Sequence, residues 1–206
     1  VAEHLKYMCS QAPYVLSKEK RSPGIFIHKR TYLRYFPHGT AGIISPWNYP
    51  LILAASPVVE ALLSGNTVVL KPSELTPLTG NKIRQIFVQG GVPEDVFQVV
   101  HGRADTGAAL VESPMTDIIC FTGSVKTGRV IAESCGRQLK PSILELGGND
   151  PMIVLEDADT DRAVSAAVWG GFSNCGQTCI SVERIYVMDS IADLFIERLK
   201  KQALNL

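Results

Sequence analysis

From residue 41 onward, short runs rich in valine and isoleucine alternate with longer stretches of helical period, separated by glycine, proline and asparagine. That rhythm leaves a chain few options. Each short run reads as a strand, each longer stretch crosses over to the next strand, and strands joined this way lie mostly parallel in one sheet covered by helices. The spacing predicts strands at 41–45, 67–70, 97–100, 117–121 and 142–146, with helices at 52–63, 79–89, 105–111 and 126–135. The expected fold class is therefore α/β.

After Gly147-Gly148 a fresh cycle begins, with strands expected at 152–155 and 181–188 and helices at 161–172 and 191–204. In the last helix Ile191, Leu194, Phe195 and Leu199 form an apolar stripe that should face a core. Before residue 41 the rhythm is absent. A helix is expected at 2–11, and the β-branched and aromatic residues of GIFIHKRTYLRYFP suggest two extended segments within 24–37. Three parts result: 1–40, 41–147 and the beginning of a second α/β domain at 148–206.

Composition narrows the partners. Twenty Lys+Arg balance 20 Asp+Glu, and no basic block or aromatic-basic stripe suggests a nucleic-acid surface. No apolar run approaches the roughly 20 residues needed to span a bilayer, so no membrane partner is expected. Five cysteines, at 9, 120, 135, 175 and 179, lack the regular spacing of a disulfide framework and fit a reducing compartment, the cytoplasm. Cys175 and Cys179 are spaced C-x3-C with no histidine nearby, which is poor for zinc, and no metal is assigned.

The glycine fingerprint GxGxxG of ordinary dinucleotide-binding folds is missing. Instead, the strand expected at 117–121 runs into TGSVKTG, placing Gly123, Ser124 and Gly128 at a strand-to-helix turn where backbone N–H groups favour a phosphate. Glycine and serine also simply cap helices. A second strand, TVVL, ends in KPSE and sets Lys71 and Glu74 at a carboxyl end, where open α/β sheets bind ligands. Read alone, those two charges are more simply solvated loop side chains.

GQTC ends at Cys179, the strongest local candidate for a nucleophile, because a thiol reaches a few per cent thiolate near neutrality without a dedicated base. A buried inert thiol is the bland alternative. Glu145, flanked by apolar residues in SILELGG, could be a base with a raised pKa, and in isolation a salt-bridged structural glutamate fits as well. Asn48 within PWNYP could be a turn residue or an amide donor to an oxyanion. Trp47 beside it reads as packing.

Taken in order, PWNYP, KPSE, FTGSVKTG, ELGG and GQTC resemble the aldehyde dehydrogenase superfamily across nearly the whole chain. The resemblance implies a Rossmann-like NAD(P)-binding domain at 41–147 and a partial catalytic domain at 148–206. It implies Cys179 as nucleophile, Glu145 as general base and Asn48 as the side-chain donor of the oxyanion hole. Ser45, Pro46, Trp47, Lys71, Ser73, Glu74, Phe121, Gly123, Ser124, Leu146 and Gly147 would contact the cofactor, NAD or alternatively NADP. Lys71 and Glu74 would hold the adenosine ribose, and Gly123, Ser124 and the following helix would lie beside the pyrophosphate.

The activity so implied is oxidation of a small-molecule aldehyde to a carboxylic acid through a cysteine thioester. The alternatives are an acylating relative that passes the acyl group to coenzyme A, and a non-catalytic NAD-binding or structural relative. The segments before residue 41 resemble the family's oligomerisation hairpin and imply a homodimer or homotetramer. Two departures stand out. Many members carry lysine after ELGG, where this chain has Asn149-Asp150. Members also continue well past the cysteine, through a second glutamate for the nicotinamide ribose, so this chain reads as truncated and is expected to be inactive alone.

Overall fold

The computed structural model describes all 206 residues and divides into two compact units, Val1–Glu145 and Leu146–Leu206. Each is described in turn.

The first unit opens with helix α1 (Ala2–Val15), none of whose residues is buried. A short antiparallel hairpin follows, β1 (Glu19–Arg21) against β2 (Thr31–Leu33). The sequence expected both extended segments within 24–37, and the first in fact lies earlier, in the charged run Glu-Lys-Arg. Residues 24–29 turn instead: Gly24 has φ +61°, and the amides of Phe26 and Lys29 bond the carbonyls of Pro23 and Phe26. β-Propensity marked Ile25, Phe26 and Ile27 as strand, but propensity cannot supply a pairing partner. The helix also runs on to Val15, through Pro13, beyond the expected end at 11.

The sheet that follows is built from β3 (Thr40–Ile44), β4 (Thr67–Lys71), β5 (Phe97–Val99), β6 (Ile118–Gly123) and β7 (Ser142–Leu146), in the order β5-β4-β3-β6-β7. The pairs β3/β4, β3/β6 and β4/β5 are parallel. Helices α2 (Ile52–Leu63), α3 (Pro77–Gln89), α4 (Ala104–Glu112) and α5 (Val125–Arg137) make the crossovers. The α/β class and the mostly parallel sheet read from the sequence hold.

Alternation along β3 decides which face each helix covers. Ala41 and Ile43 join Val68, Leu70 and Phe97 with Ala54, Val58 and Ala61 of α2 and Ile83 of α3 in one core. Burying a side chain of this kind contributes roughly 1.5–3 kcal/mol. Gly42 points to the other face, where a Cβ would stand 2.8 Å from Ile119 Cδ1 and 3.2 Å from Leu110 Cγ. The missing side chain is what lets α4 lie close on the centre of the sheet.

Because β4 and β5 lie to one side of β3 and β6 and β7 to the other, the strand order reverses between β3 and β6. At such a switch point the crossovers diverge and leave a crevice beyond the carboxyl ends. The register aligns Ile44 with Lys71 on one side and with Phe121 on the other, so these three residues form one row at its lip.

The second unit pairs β8 (Asp150–Val154) in parallel with β9 (Val182–Val187), crossing over through α6 (Thr160–Phe172), and ends in α7 (Asp189–Ala203). Asp159 caps α6 by accepting from the Arg162 amide at 3.1 Å. Val154, Val164, Ala167 and Phe195 form the core, with Ile191 and Leu199 packed on it. Leu194, expected in the same stripe, is exposed. The stripe is narrower than expected because one two-stranded sheet gives α7 little to cover.

Candidate active site and cofactor cleft

A cleft of about 770 Å³ opens at the switch point. The end of β3 and the loop after it contribute Ile44, Ser45, Pro46 and Trp47, the end of β4 and its following loop contribute Lys71, Ser73 and Glu74, and β6 contributes Phe121 and Gly123. Eight residues expected at the cofactor therefore surround one space: Ser45, Pro46, Trp47, Lys71, Ser73, Glu74, Phe121 and Gly123. α4 and α5 wall the far side.

Lys71 is buried, and its ammonium donates to Pro72 O at 3.1 Å and stands 3.8 Å from Glu74 Oε2. Three ammonium protons with one protein acceptor at hydrogen-bonding distance leave donor capacity inside the cleft. Ser45 is also buried, and its hydroxyl has no hydrogen-bond partner. Gly123 closes tightly on Phe121, whose Cζ would lie 2.4 Å from any added Cβ. The aromatic ring can fold over the strand end only because residue 123 has no side chain.

Ser124 does not line the cleft. It is the N-cap of α5, its hydroxyl oxygen accepting from the Thr127 amide at 3.2 Å. The N–H groups of the first helical turn behind it have no intrahelical acceptor and carry the positive end of the dipole. Two cations at the cleft escaped the sequence reading: Lys126, in that first turn, and Arg103, at the N-cap of α4. Lys126 is the lysine of TGSVKTG, a segment read for its glycines and serine, whereas Arg103 sits in no motif. For Arg103 the only signal was position, immediately before a helix that follows a strand.

Asn48 follows Trp47 in the loop between β3 and α2. Glu145 stands on the terminal strand β7 and is exposed, so the enclosure suggested by its apolar neighbours is absent from this unit. Its charge is felt by Glu60 on α2, whose carboxyl is pushed up by desolvation, drawn back by His4 and pushed further by Glu145. Cys120 on β6, packed against the core, has its thiol raised to about 11 by burial and then by Glu60. Burial likewise raises Cys135.

Cys179 belongs to the second unit and is exposed. α6 ends in a 3₁₀ turn, Ser173–Gly176, in which Asn174, Cys175 and Gly176 all have positive φ (52°, 58° and 74°). This left-handed run reverses the chain, and the Thr178 hydroxyl donates back to Ser173 O at 3.3 Å. Buried Ser181 anchors the far end, its hydroxyl donating to Gly170 O at 3.0 Å. Leu146 and Gly147 start this unit, and a Cβ on the adjoining Gly148 would be 3.5 Å from Cys179 O. Within this unit Gly148 and the Cys179 backbone thus approach closely, where glycine leaves room.

The model of the aldehyde dehydrogenase family matches residues 1–206. The chain is 41% identical over 203 residues to a 4,4'-diapolycopene aldehyde oxidase of Methylomonas sp., covering 98% of this chain and 38% of that protein. It is 46% identical over 171 residues to the NAD(+) benzaldehyde dehydrogenase of Pseudomonas putida, covering 82% and 35%. The crystal structure of a Mycobacterium tuberculosis aldehyde dehydrogenase complexed with NAD+ superposes with a TM-score of 0.90 at 37% identity, covering 95% of this chain and 40% of that one. An NAD-dependent aldehyde dehydrogenase from Sinorhizobium meliloti gives 0.90 at 39%, covering 96% and 39%. The chain spans about two-fifths of the length of these relatives. With a family model matched from end to end and a fold shared at this level of identity, the chain belongs to the aldehyde dehydrogenase family.

Proposed function

We propose that the protein oxidises an aldehyde to a carboxylic acid, with NAD as hydride acceptor and NADP as the alternative. The observation that carries the reading is the buried Lys71 ammonium at the switch-point cleft, with donor capacity that the protein leaves unused. A ribose diol suits that donor together with the Glu74 acceptor. Lys126 and the first turn of α5 suit a pyrophosphate, and about 770 Å³ falls within the range of sites that enclose small molecules and cofactors. When bound, the nicotinamide ring supplies the acceptor for the hydride.

The chain's own residues supply the rest. Cys179 thiolate attacks the aldehyde carbonyl, and the amide of Asn48 with a backbone N–H near Cys179 holds the resulting oxyanion. Loss of one such donor costs on the order of 100- to 1000-fold in rate. Once the thioester has formed, Glu145 takes a proton from water, which attacks the acyl carbon and frees the thiolate. Exposure of Cys179 and its seat on a loop braced at both ends support the nucleophile's role.

Cytoplasmic location, assembly as a homodimer or homotetramer through the segments before residue 41, and a three-part division at 40/41 and 147/148 belong to the same proposal. No helix is long and apolar enough to cross a membrane. The test is aldehyde-dependent NADH formation by the whole protein rather than by residues 1–206 alone, followed at 340 nm with and without coenzyme A. Turnover to the free acid without coenzyme A supports the reading, whereas a strict requirement for coenzyme A, or no turnover with any aldehyde of a broad panel, overturns it.

A further inference from the structure

The small sheet of the second unit begins with an irregularity, and one side chain bridges it. In the parallel pairing of β8 with β9, Asp150 lies opposite Val182 but Pro151 lies opposite Arg184, so Glu183 is passed over in a bulge. Proline has no N–H to give the ladder. Arg184 reaches back from β9 instead: its Nε and Nη2 both donate to Asn149 O, at 3.2 and 2.8 Å, and its Nη1 donates to Tyr186 OH at 3.4 Å. A charged, planar set of donors thus grips the carbonyl just ahead of the point where backbone pairing slips. That grip closes a ring. From Cys179 the chain runs through Ser181 into β9 and Arg184, the guanidinium crosses to Asn149 O, and the preceding residue, Gly148, lies against the Cys179 carbonyl. A Cβ on Gly148 would meet that oxygen at 3.5 Å and Asp150 Oδ1 at 2.6 Å, so bare backbone supports the cysteine's peptide. Gly147 and Gly148 bring no side chain to hold the approach, and glycine backbone is the freest of all.

We propose that Arg184 is a positioning residue for Cys179. Through Asn149 O it keeps Gly148 against the cysteine's carbonyl, and so fixes the main chain that carries the thiol and the neighbouring N–H of the oxyanion site. It acts through backbone and touches no reacting atom. The inference rests on Cys179 being the nucleophile of the proposed function. Attack requires the reacting atoms to be held near contact, and displacement by about 1 Å can cost roughly 100-fold in rate. Without the guanidinium fork the glycines regain their freedom, and formation of the acyl-enzyme should slow by about ten- to a hundredfold at each competent site. Arg184 lies outside every motif that pointed to the chemistry, and its side chain is exposed, so a small cation from solution can reach the place it occupies.

The experiment compares the whole protein with its Arg184→Ala and Arg184→Lys variants in a single turnover, with NAD saturating and protein in excess over an aldehyde of the panel. NADH formation is followed by stopped flow. In Arg184→Ala the limiting rate constant should fall by about tenfold or more, Arg184→Lys should recover part of it through its single ammonium, and millimolar guanidinium should draw Arg184→Ala back towards wild type. A merely structural role predicts otherwise, since loss of folded protein lowers the number of competent sites, not the limiting rate constant, and no added cation repairs it. Hydrogen exchange supplies the second readout: amides within 146–152 should exchange faster in Arg184→Ala while those of α7 keep their wild-type rate. An unchanged rate constant in Arg184→Ala overturns the inference, as does unchanged exchange at 146–152, or a loss that neither lysine nor guanidinium relieves. No NADH from the wild type with any aldehyde overturns the proposed function and the positioning role with it, whereas a wild type that turns over beside an unaffected Arg184→Ala overturns the positioning role alone.

Discussion

Lys71 and Glu74 stand three residues apart at the same cleft with 3.8 Å between their charged atoms, the lysine side chain 5% exposed and the glutamate 48%. The cation is fixed by its surroundings while the carboxylate is free to meet whatever enters.

That asymmetry predicts a preference for NAD over NADP, because a 2′-phosphate would approach Glu74 with like charge. Half exposure screens the repulsion, so the preference should be modest, roughly three- to tenfold in kcat/KM. Glu74→Gln should narrow it. Arg103→Ala should widen it by removing a cation from the lining. Steady-state kinetics with both cofactors check all three, and equal kcat/KM for the wild type would refute the argument.

Thiol reactivity should follow environment. Limited iodoacetamide labelling of the folded protein should modify Cys179 ahead of Cys9, Cys120 and Cys135. Cys120, raised to about 11 from 9.0, should hold roughly 100-fold less thiolate near neutrality than a thiol at the ordinary value. Peptide mass spectrometry over a time course gives the order.

Glu145→Gln should separate the two halves of the reaction. The variant retains acyl-enzyme formation and a burst of NADH, but its steady-state turnover falls on the order of 100-fold or more, since water loses its base. Unchanged steady-state release of the free acid would show that Glu145 is not the base.

Glu60 offers a stability test with a definite sign. Its folded-state pKa is raised above 4.5, so the stability it contributes is present below the unfolded value and is lost as pH rises through the folded one. Although the side chain is exposed overall, its ionised form is a liability at neutral pH. Glu60→Gln should therefore raise Tm at neutral pH and by less at about pH 5. A lower Tm at neutral pH would contradict the sign.

At Gly42 the structure predicts a cost from a single methyl group. With Ile119 Cδ1 at 2.8 Å from the would-be Cβ, Gly42→Ala should destabilise the fold by about 1–3 kcal/mol in urea unfolding, because α4 must move off the sheet.

Periodicity made the elements legible where one period dominates. Helix 52–63 and strand 142–146 coincide with α2 and β7 to the residue, and most other boundaries shift by one or two positions. Legibility failed where pairing rather than propensity decides. Glu-Lys-Arg is a strand because Tyr32 and its neighbours lie opposite, which its charges do not announce. At the cleft, motif residues such as Lys71 and Gly123 were readable because their types are unusual at strand ends. Arg103 was not, since a surface cation looks the same in a string whether or not a cleft lies beneath it. The left-handed turn at 174–176 was hidden too, with only Asn174 and Gly176 to hint at it.

The strand order has a consequence in time. Every residue lining the cleft falls between Ile44 and Ser134, and the unit that contains them closes at Glu145. A chain made from its amino terminus at about 5–20 residues per second completes this unit seconds before Cys179 is added. A ligand that binds the cleft can thus stabilise the nascent sheet while Cys179 does not yet exist, so a cell's supply of that ligand bears on how much of the chain folds.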